Sequence, residues 1–145
     1  MILPVEKNDD FDSFKTLNED VQVKPISDTS NHWDIQMSKG DYVNVTGKES
    51  LKNAICIAIM TRFNELDYLE LYDGFGCRAH QLVKKNKSEM TRYKVELFIT
   101  EVLENMRRIQ SVNSVKVSDD NEQSYFIEFD VTSTSDEIVS GSVII

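Results

Sequence analysis

The sequence predicts an α+β domain: two helices packed on a small antiparallel sheet. Three observations predict it. Leu51 to Met60 is apolar nearly all round, which marks a helix buried in a core. From Tyr93 to Ile109 apolar residues recur at spacings of three and four, the period of a helix with one buried stripe. Gln123 to Thr132 alternates, with Tyr125, Ile127, Phe129 and Val131 on one face and Phe126, Glu128, Asp130 and Thr132 on the other, the period of a strand. The 145 residues suit a single core, and the expected organisation is an extended arm over 1–31 followed by one domain over 32–145.

The arm carries Pro4 and Pro25 among Asp, Asn, Ser and Lys, and its apolar residues are scattered. Such a stretch buries little by itself and orders against a neighbour. His32 to Met37 and Asp41 to Thr46 flank Ser38-Lys39-Gly40 and read as a hairpin. A helix opens at Thr46 or Gly47, with Glu49 placed to meet the dipole of its first turn, and runs to about Phe63. Asn64 to Val83 has few helical signals. Gly74 and Gly76 around Phe75 allow a sharp turn with the ring anchored inward, and Arg78 to Val83 reads as one helical turn. Ser88 is a good N-cap for a second helix from Glu89 to about Ile109. Tyr93, Leu97, Phe98, Val102, Met106 and Ile109 form its expected core stripe, widened by Val95, Ile99 and Leu103. The remainder reads as a three-stranded meander: Val112 to Val117, Gln123 to Thr132, and Glu137 to Ile145.

Net charge is −9, which disfavours phosphate binding. The charge is segregated. Residues 1–77 hold seven Lys/Arg against fourteen Asp/Glu, residues 78–110 hold eight against four, and residues 111–145 hold one against seven. A basic middle between acidic flanks favours docking between charged protein surfaces. No nucleic acid is expected as a partner. Arg78, Lys84, Lys85, Lys87, Arg92 and Tyr93 suggest a basic-aromatic platform only weakly. The longest apolar run is too short to span a membrane, no secretory signal is expected at the N-terminus, and Cys56 and Cys77 read as reduced core residues.

Chemistry is thinly supported. Glu65, Asp67, Glu70 and Asp73 cluster between the helices, and a lysozyme-like hydrolase would need two such carboxylates across a sugar-binding cleft. Glu65 and Asp73 are the candidate pair for that alternative; four acids in a chain with 25 read more simply as solvated surface. His32 and His80 lack a nucleophile or metal-ligand signature, and no phosphate loop is present. No metal and no cofactor is expected. The last strand is more informative. Ile138, Val139, Val143, Ile144 and Ile145 either pair inside their own sheet or present an open edge, which attracts another chain's strand.

Four stretches together resemble the W-like and "gene 25-like lysozyme" family of baseplate wedge proteins, found in contractile phage tails, tailocins and type VI secretion baseplates. They are Asp34 to Gly47, Leu51 to Thr61, Asn64-Glu65-Leu66 with Asp73 to Leu82, and the long second helix with its closing strands, so the likeness covers Asp34 to Ile145. Asn64 stands where the family usually carries Gly, Gly74 follows Asp73 where the family tends to place an aromatic, and Arg108 alone matches a Glu-Pro-Arg motif after the second helix. The resemblance implies a fold similar to the handshake region of tail sheath proteins. It implies a non-enzymatic baseplate wedge component, present in multiple copies around a tail tube and assembled in the host cytoplasm. Its implied partners are the tail sheath protein, whose first ring it seeds by strand pairing, and other wedge proteins. On that reading Arg107, Arg108 and the strand residues Ile138, Val139, Val143, Ile144 and Ile145 touch partners, while Glu65 and Asp73 to Gly76 set the fold.

Overall fold

Six short strands precede the first helix in a computed structural model that describes residues 19–27, 30–70 and 74–145. β1 (Glu19–Val21) pairs with β6 (Asn44–Thr46), β2 (Val23–Pro25) with β3 (Trp33–Ile35), and β4 (Met37–Ser38) with β5 (Asp41–Tyr42), all antiparallel. The three ladders meet at three single residues whose main chains close a ring. Gln22 N–H donates to the Val43 carbonyl (2.8 Å), Val43 N–H to the Gln36 carbonyl (3.0 Å), and Gln36 N–H to the Gln22 carbonyl (2.9 Å). Each junction residue therefore satisfies its donor and its acceptor where the ladders part.

The expected hairpin is present at its tip. Lys39 and Gly40 both take positive φ, 52° and 82°, as a two-residue hairpin turn requires. Below the tip its stems diverge, and each pairs with residues 19–25 instead of with the other. The later part of the expected arm is thus laddered to its own chain, while residues 1–18 lie outside the described residues.

α1 (Gly47–Met60) ends three residues short of the expected Phe63. Thr61 leaves the helix in an extended conformation, and both its N–H (3.0 Å) and its hydroxyl (2.7 Å) donate to the Ile57 carbonyl. α2 (Glu89–Glu104) begins where Ser88 Oγ accepts the Thr91 N–H at 3.1 Å, an N-cap bond. It stops five residues before the expected Ile109, which opens the first strand of the main sheet. Its buried stripe is Val95, Ile99 and Leu103, spaced by four. Phe98, Val102 and Met106 are partly buried at its margin, whereas Tyr93 and Leu97 are exposed. Two apolar stripes at helical spacing run along α2, and periodicity alone does not say which one meets the sheet.

β7 (Ile109–Asn121), β8 (Ser124–Ser133) and β9 (Ile138–Ile144) form the antiparallel meander in the order β7-β8-β9. Tyr125, Ile127, Phe129 and Val131 of the middle strand are buried as the alternation predicts. α1 packs on β9 and α2 on β7, so Leu51, Ile55, Ile59, Val95, Ile99 and Leu103 close one core over one face of the sheet. Each such side chain contributes about 1.5–3 kcal/mol when fully buried.

Between the helices, Glu65 Oε2 accepts the Arg62 N–H at 2.9 Å, and Asn64 N–H donates to the Phe75 carbonyl at 3.0 Å. Asn64 itself is left-handed, φ 60°. After Gly, Asn is among the side chains most tolerant of that conformation. Gly76 has φ 109°, and a Cβ there would collide with the Arg62 carbonyl oxygen and lie 2.9 Å from Phe63 N. The close approach lets Cys77 bridge to Arg62 in a short parallel contact, with Cys77 N–H donating to the Thr61 carbonyl at 2.8 Å.

Candidate functional site

β9 lies at one side of the main sheet, and no other described strand pairs with its far side. Tyr125 and Ile145 exchange both N–H···O bonds (2.8 and 3.0 Å), and Ser133 N–H donates to the Glu137 carbonyl. The register couples Ile127 to Val143, Phe129 to Gly141 and Val131 to Val139. Antiparallel ladders alternate, so the odd-numbered residues of β9 turn their main-chain groups to β8. The main-chain groups of Ile138, Ser140, Ser142 and Ile144 turn outward. Ile138, Ser140 and Ser142 are exposed there, and Ile144 is buried.

The side chains of the expected contact strand divide accordingly. Val139, Val143 and Ile145 point into the core with 2–4 % exposure. They hold the strand in place. Gly141 keeps the strand close to the helix layer: a Cβ there would stand 2.7 Å from the Phe129 ring and 3.0 Å from Lys52 Cε. No charged side chain follows Glu137 in the strand, so the strand carries no charge of its own to guard its outward side.

Arg108 and Arg107 sit at the start of β7 and differ in environment. Arg108 is half-buried; it donates from Nη1 to Ser50 Oγ and from Nη2 to the Gly47 carbonyl, both at 3.3 Å. Its own carbonyl accepts the Thr134 N–H at 2.9 Å. Burial lowers its pKa, opposed by the charge of Asp20. Arg108 therefore fastens the first turn of α1 to the sheet. Arg107 is exposed.

Of the fold-motif residues, Glu65, Gly74, Phe75 and Gly76 are described, and Asp73 lies outside the described residues, so the pair proposed for hydrolysis has no described geometry. Burial holds the Cys56 thiol up at about 12 and the Cys77 thiol at about 11; both remain protonated, small core residues. Among the described residues no group of three or more His, Cys, Asp and Glu is placed to hold a metal ion, and no helix is long and apolar enough to cross a membrane.

A family model described as contractile injection system sheath initiator matches residues 25–136. The chain belongs to that family. A search of curated proteins found no match. The sheath initiator is a structural component of the baseplate that starts the sheath of a contractile injection system, and the lysozyme alternative gains no support.

One residue that carries the architecture of this sheath initiator is not singled out by sequence reasoning. Asn53, 5 % exposed, accepts the Val23 N–H (2.8 Å) and donates to Asp20 Oδ2 and the Val21 carbonyl (both 3.0 Å). The signal was available: Lys52 and Asn53 are the polar residues in the run Leu51 to Met60, and a short amide in an apolar helix face needs hydrogen-bond partners.

Proposed function

We propose that the outward edge of β9 is where a strand of the first sheath ring attaches, and that this pairing is how the sheath initiator seeds the sheath. The observation that carries the reading is the alternation along β9, which turns the main-chain groups of the exposed residues Ile138, Ser140 and Ser142 to a side with no described strand. Main-chain pairing contributes about 0.5–1.5 kcal/mol net per hydrogen bond, and several in a row hold a sheath ring through contraction without any side-chain lock.

Within the family, the four stretches quoted above favour the W-like, gene 25-like wedge type. On that reading the protein sits in the baseplate in multiple copies around a tube and is assembled in the host cytoplasm. Other wedge proteins dock beside Arg107 and Arg108, where the basic segment 78–110 begins to meet the acidic sheet. Part of that basic charge is taken up internally: Arg92 pairs with Asp119 at 3.2 Å and Lys87 approaches the same carboxylate at 3.9 Å. Arg107 is the exposed cation of the pair at the start of β7 and is assigned the wedge contact; Arg108 positions it.

Deleting Val139 to Ile145 is not a clean test, because it removes four buried side chains together with the edge. Ser142→Pro is better. It removes an outward N–H and leaves the β8 ladder intact, and Ser140→Lys guards the same edge with charge. Both variants are expected to fold and enter baseplates, and to give tubes without sheaths by electron microscopy. Normal sheaths on both variants would contradict the reading.

A further inference from the structure

A groove of about 370 Å³ opens beside α1, and no residue of β9 lines it. Its walls come from three parts of the chain: Trp33 and Ile35 of β3, Ile57 and Met60 of α1, and Leu66 of the turn that follows. Ile35 and Ile57 are 47 % and 37 % exposed. Two carboxylates, Asp34 and Glu65, supply its charged lining. Each uses one oxygen inside the chain, for the Ile35 N–H and the Arg62 N–H.

We propose that this groove binds a partner-protein segment that is apolar on one side and basic on the other. The apolar walls take the anchoring side chains, as in helix-in-groove recognition. The two carboxylates select Lys or Arg at the margin and repel acidic segments. Charge also decides between candidate occupants. The chain's own residues 1–18 carry Glu6, Asp9, Asp10 and Asp12 against Lys7 and Lys15, the same sign as the groove. A second copy of this chain is acidic on both flanks, and in its basic stretch 78–110 Lys87 and Arg92 already face Asp119. The two carboxylates likewise repel nucleic acid and anionic lipid. The surface is separate from the sheath edge, so one molecule holds both contacts at once.

Trp33 is the only tryptophan in the chain, and its emission therefore reads the groove directly. The full-length protein is titrated with a short amphipathic helical peptide bearing Leu on one face and Lys on the other, and with its counterpart bearing Glu in place of Lys. The Lys peptide is expected to shift Trp33 emission saturably, and the Glu peptide to leave it unchanged. Ile57→Asp, which puts a charge on the apolar wall, is expected to weaken binding at least about tenfold. Joint Asp34→Asn and Glu65→Gln substitution is expected to remove most of the salt dependence, while Asp119→Asn with Asp130→Asn, neither of which lines the groove, leaves it intact. Equal binding of the two peptides overturns the proposal, and so does wild-type affinity in Ile57→Asp or an equal effect of the distant pair. A Trp33 shift on raising protein concentration alone would assign the groove to a second copy. A shift in Phe11→Ala/Phe14→Ala without peptide would assign it to residues 1–18. Either result overturns the proposal.

Discussion

The side-chain oxygen of Asn53, buried in α1, accepts the backbone N–H of Val23 at 2.8 Å across thirty residues of sequence. The same amide donates to the Val21 carbonyl and to Asp20. One side chain thus joins the first helix to the segment that closes the three-ladder junction, and it serves backbone groups next to the point where β1 becomes β2. Asn53→Ala leaves those groups unpaired and is expected to cost about 2–4 kcal/mol, read as a lower urea midpoint. Asn53→Asp keeps the acceptor for Val23 but sets a second carboxylate against Asp20 and an oxygen against the Val21 carbonyl. It is expected to cost at least as much at pH 7 and to recover partly on acidification.

Gly74, Gly76 and Asn64 all have positive φ but differ in what surrounds them. A Cβ at Gly74 meets nothing within 4 Å, whereas at Gly76 it collides with the Arg62 main chain. Gly76→Ala is expected to cost about 2–5 kcal/mol, Gly74→Ala about 1 kcal/mol, and Asn64→Gly to stay within about 0.5 kcal/mol of the native protein. Chemical denaturation of the three variants checks the order.

How much of this was legible depends on whether one residue's neighbours are local. The strand alternation in β8 and the buried run in α1 were, because each is a pattern within one element. The N-cap at Ser88 and the hairpin tip at Lys39-Gly40 were too. The inner face of α2 was legible only in part: Val95, Ile99 and Leu103 are buried as expected, but Tyr93 and Leu97, which have the same helical spacing, are exposed, a choice made by tertiary packing. The pairing of residues 19–25 was hidden for a similar reason, since its partners lie 8 to 27 residues away and Asn53 beyond them. The edge of β9 was legible as a strand, but which of its residues face outward follows only from the register with β8.

His80 ties the end of α1 to the turn that follows Cys77, its Nε2 lying 2.7 Å from the Ile59 carbonyl. Burial lowers its pKa below the usual 6.5, the bond to Ile59 opposing. The folded protein therefore binds fewer protons at this site than the unfolded chain. Its stability contribution is complete above about pH 6.5 and declines as pH falls toward the depressed folded value. Urea midpoints measured from pH 7.5 downward are expected to drop through this window. His80→Gln, which keeps a donor for Ile59 without titrating, is expected to flatten the drop.

Cys56 and Cys77 are 2 % and 0 % exposed with thiols held at about 12 and about 11. Only the thiolate attacks a disulfide reagent. Both are expected to stay unlabelled by an aromatic disulfide reagent in the native protein at pH 7.5 and to react together once urea unfolds it. Prompt labelling of either in buffer would show that the α1 core opens locally.

A reconstruction of the assembled baseplate with its first sheath ring, at a resolution that traces strands, tests the sheath contact most directly. The expected density is a sheath strand running alongside β9, hydrogen-bonded to the main chain of Ile138, Ser140 and Ser142, with Val139 and Val143 still in the core of the sheath initiator. A first ring that touches this protein only through side chains elsewhere, with that side of β9 bare or covered by its own chain, would contradict the account.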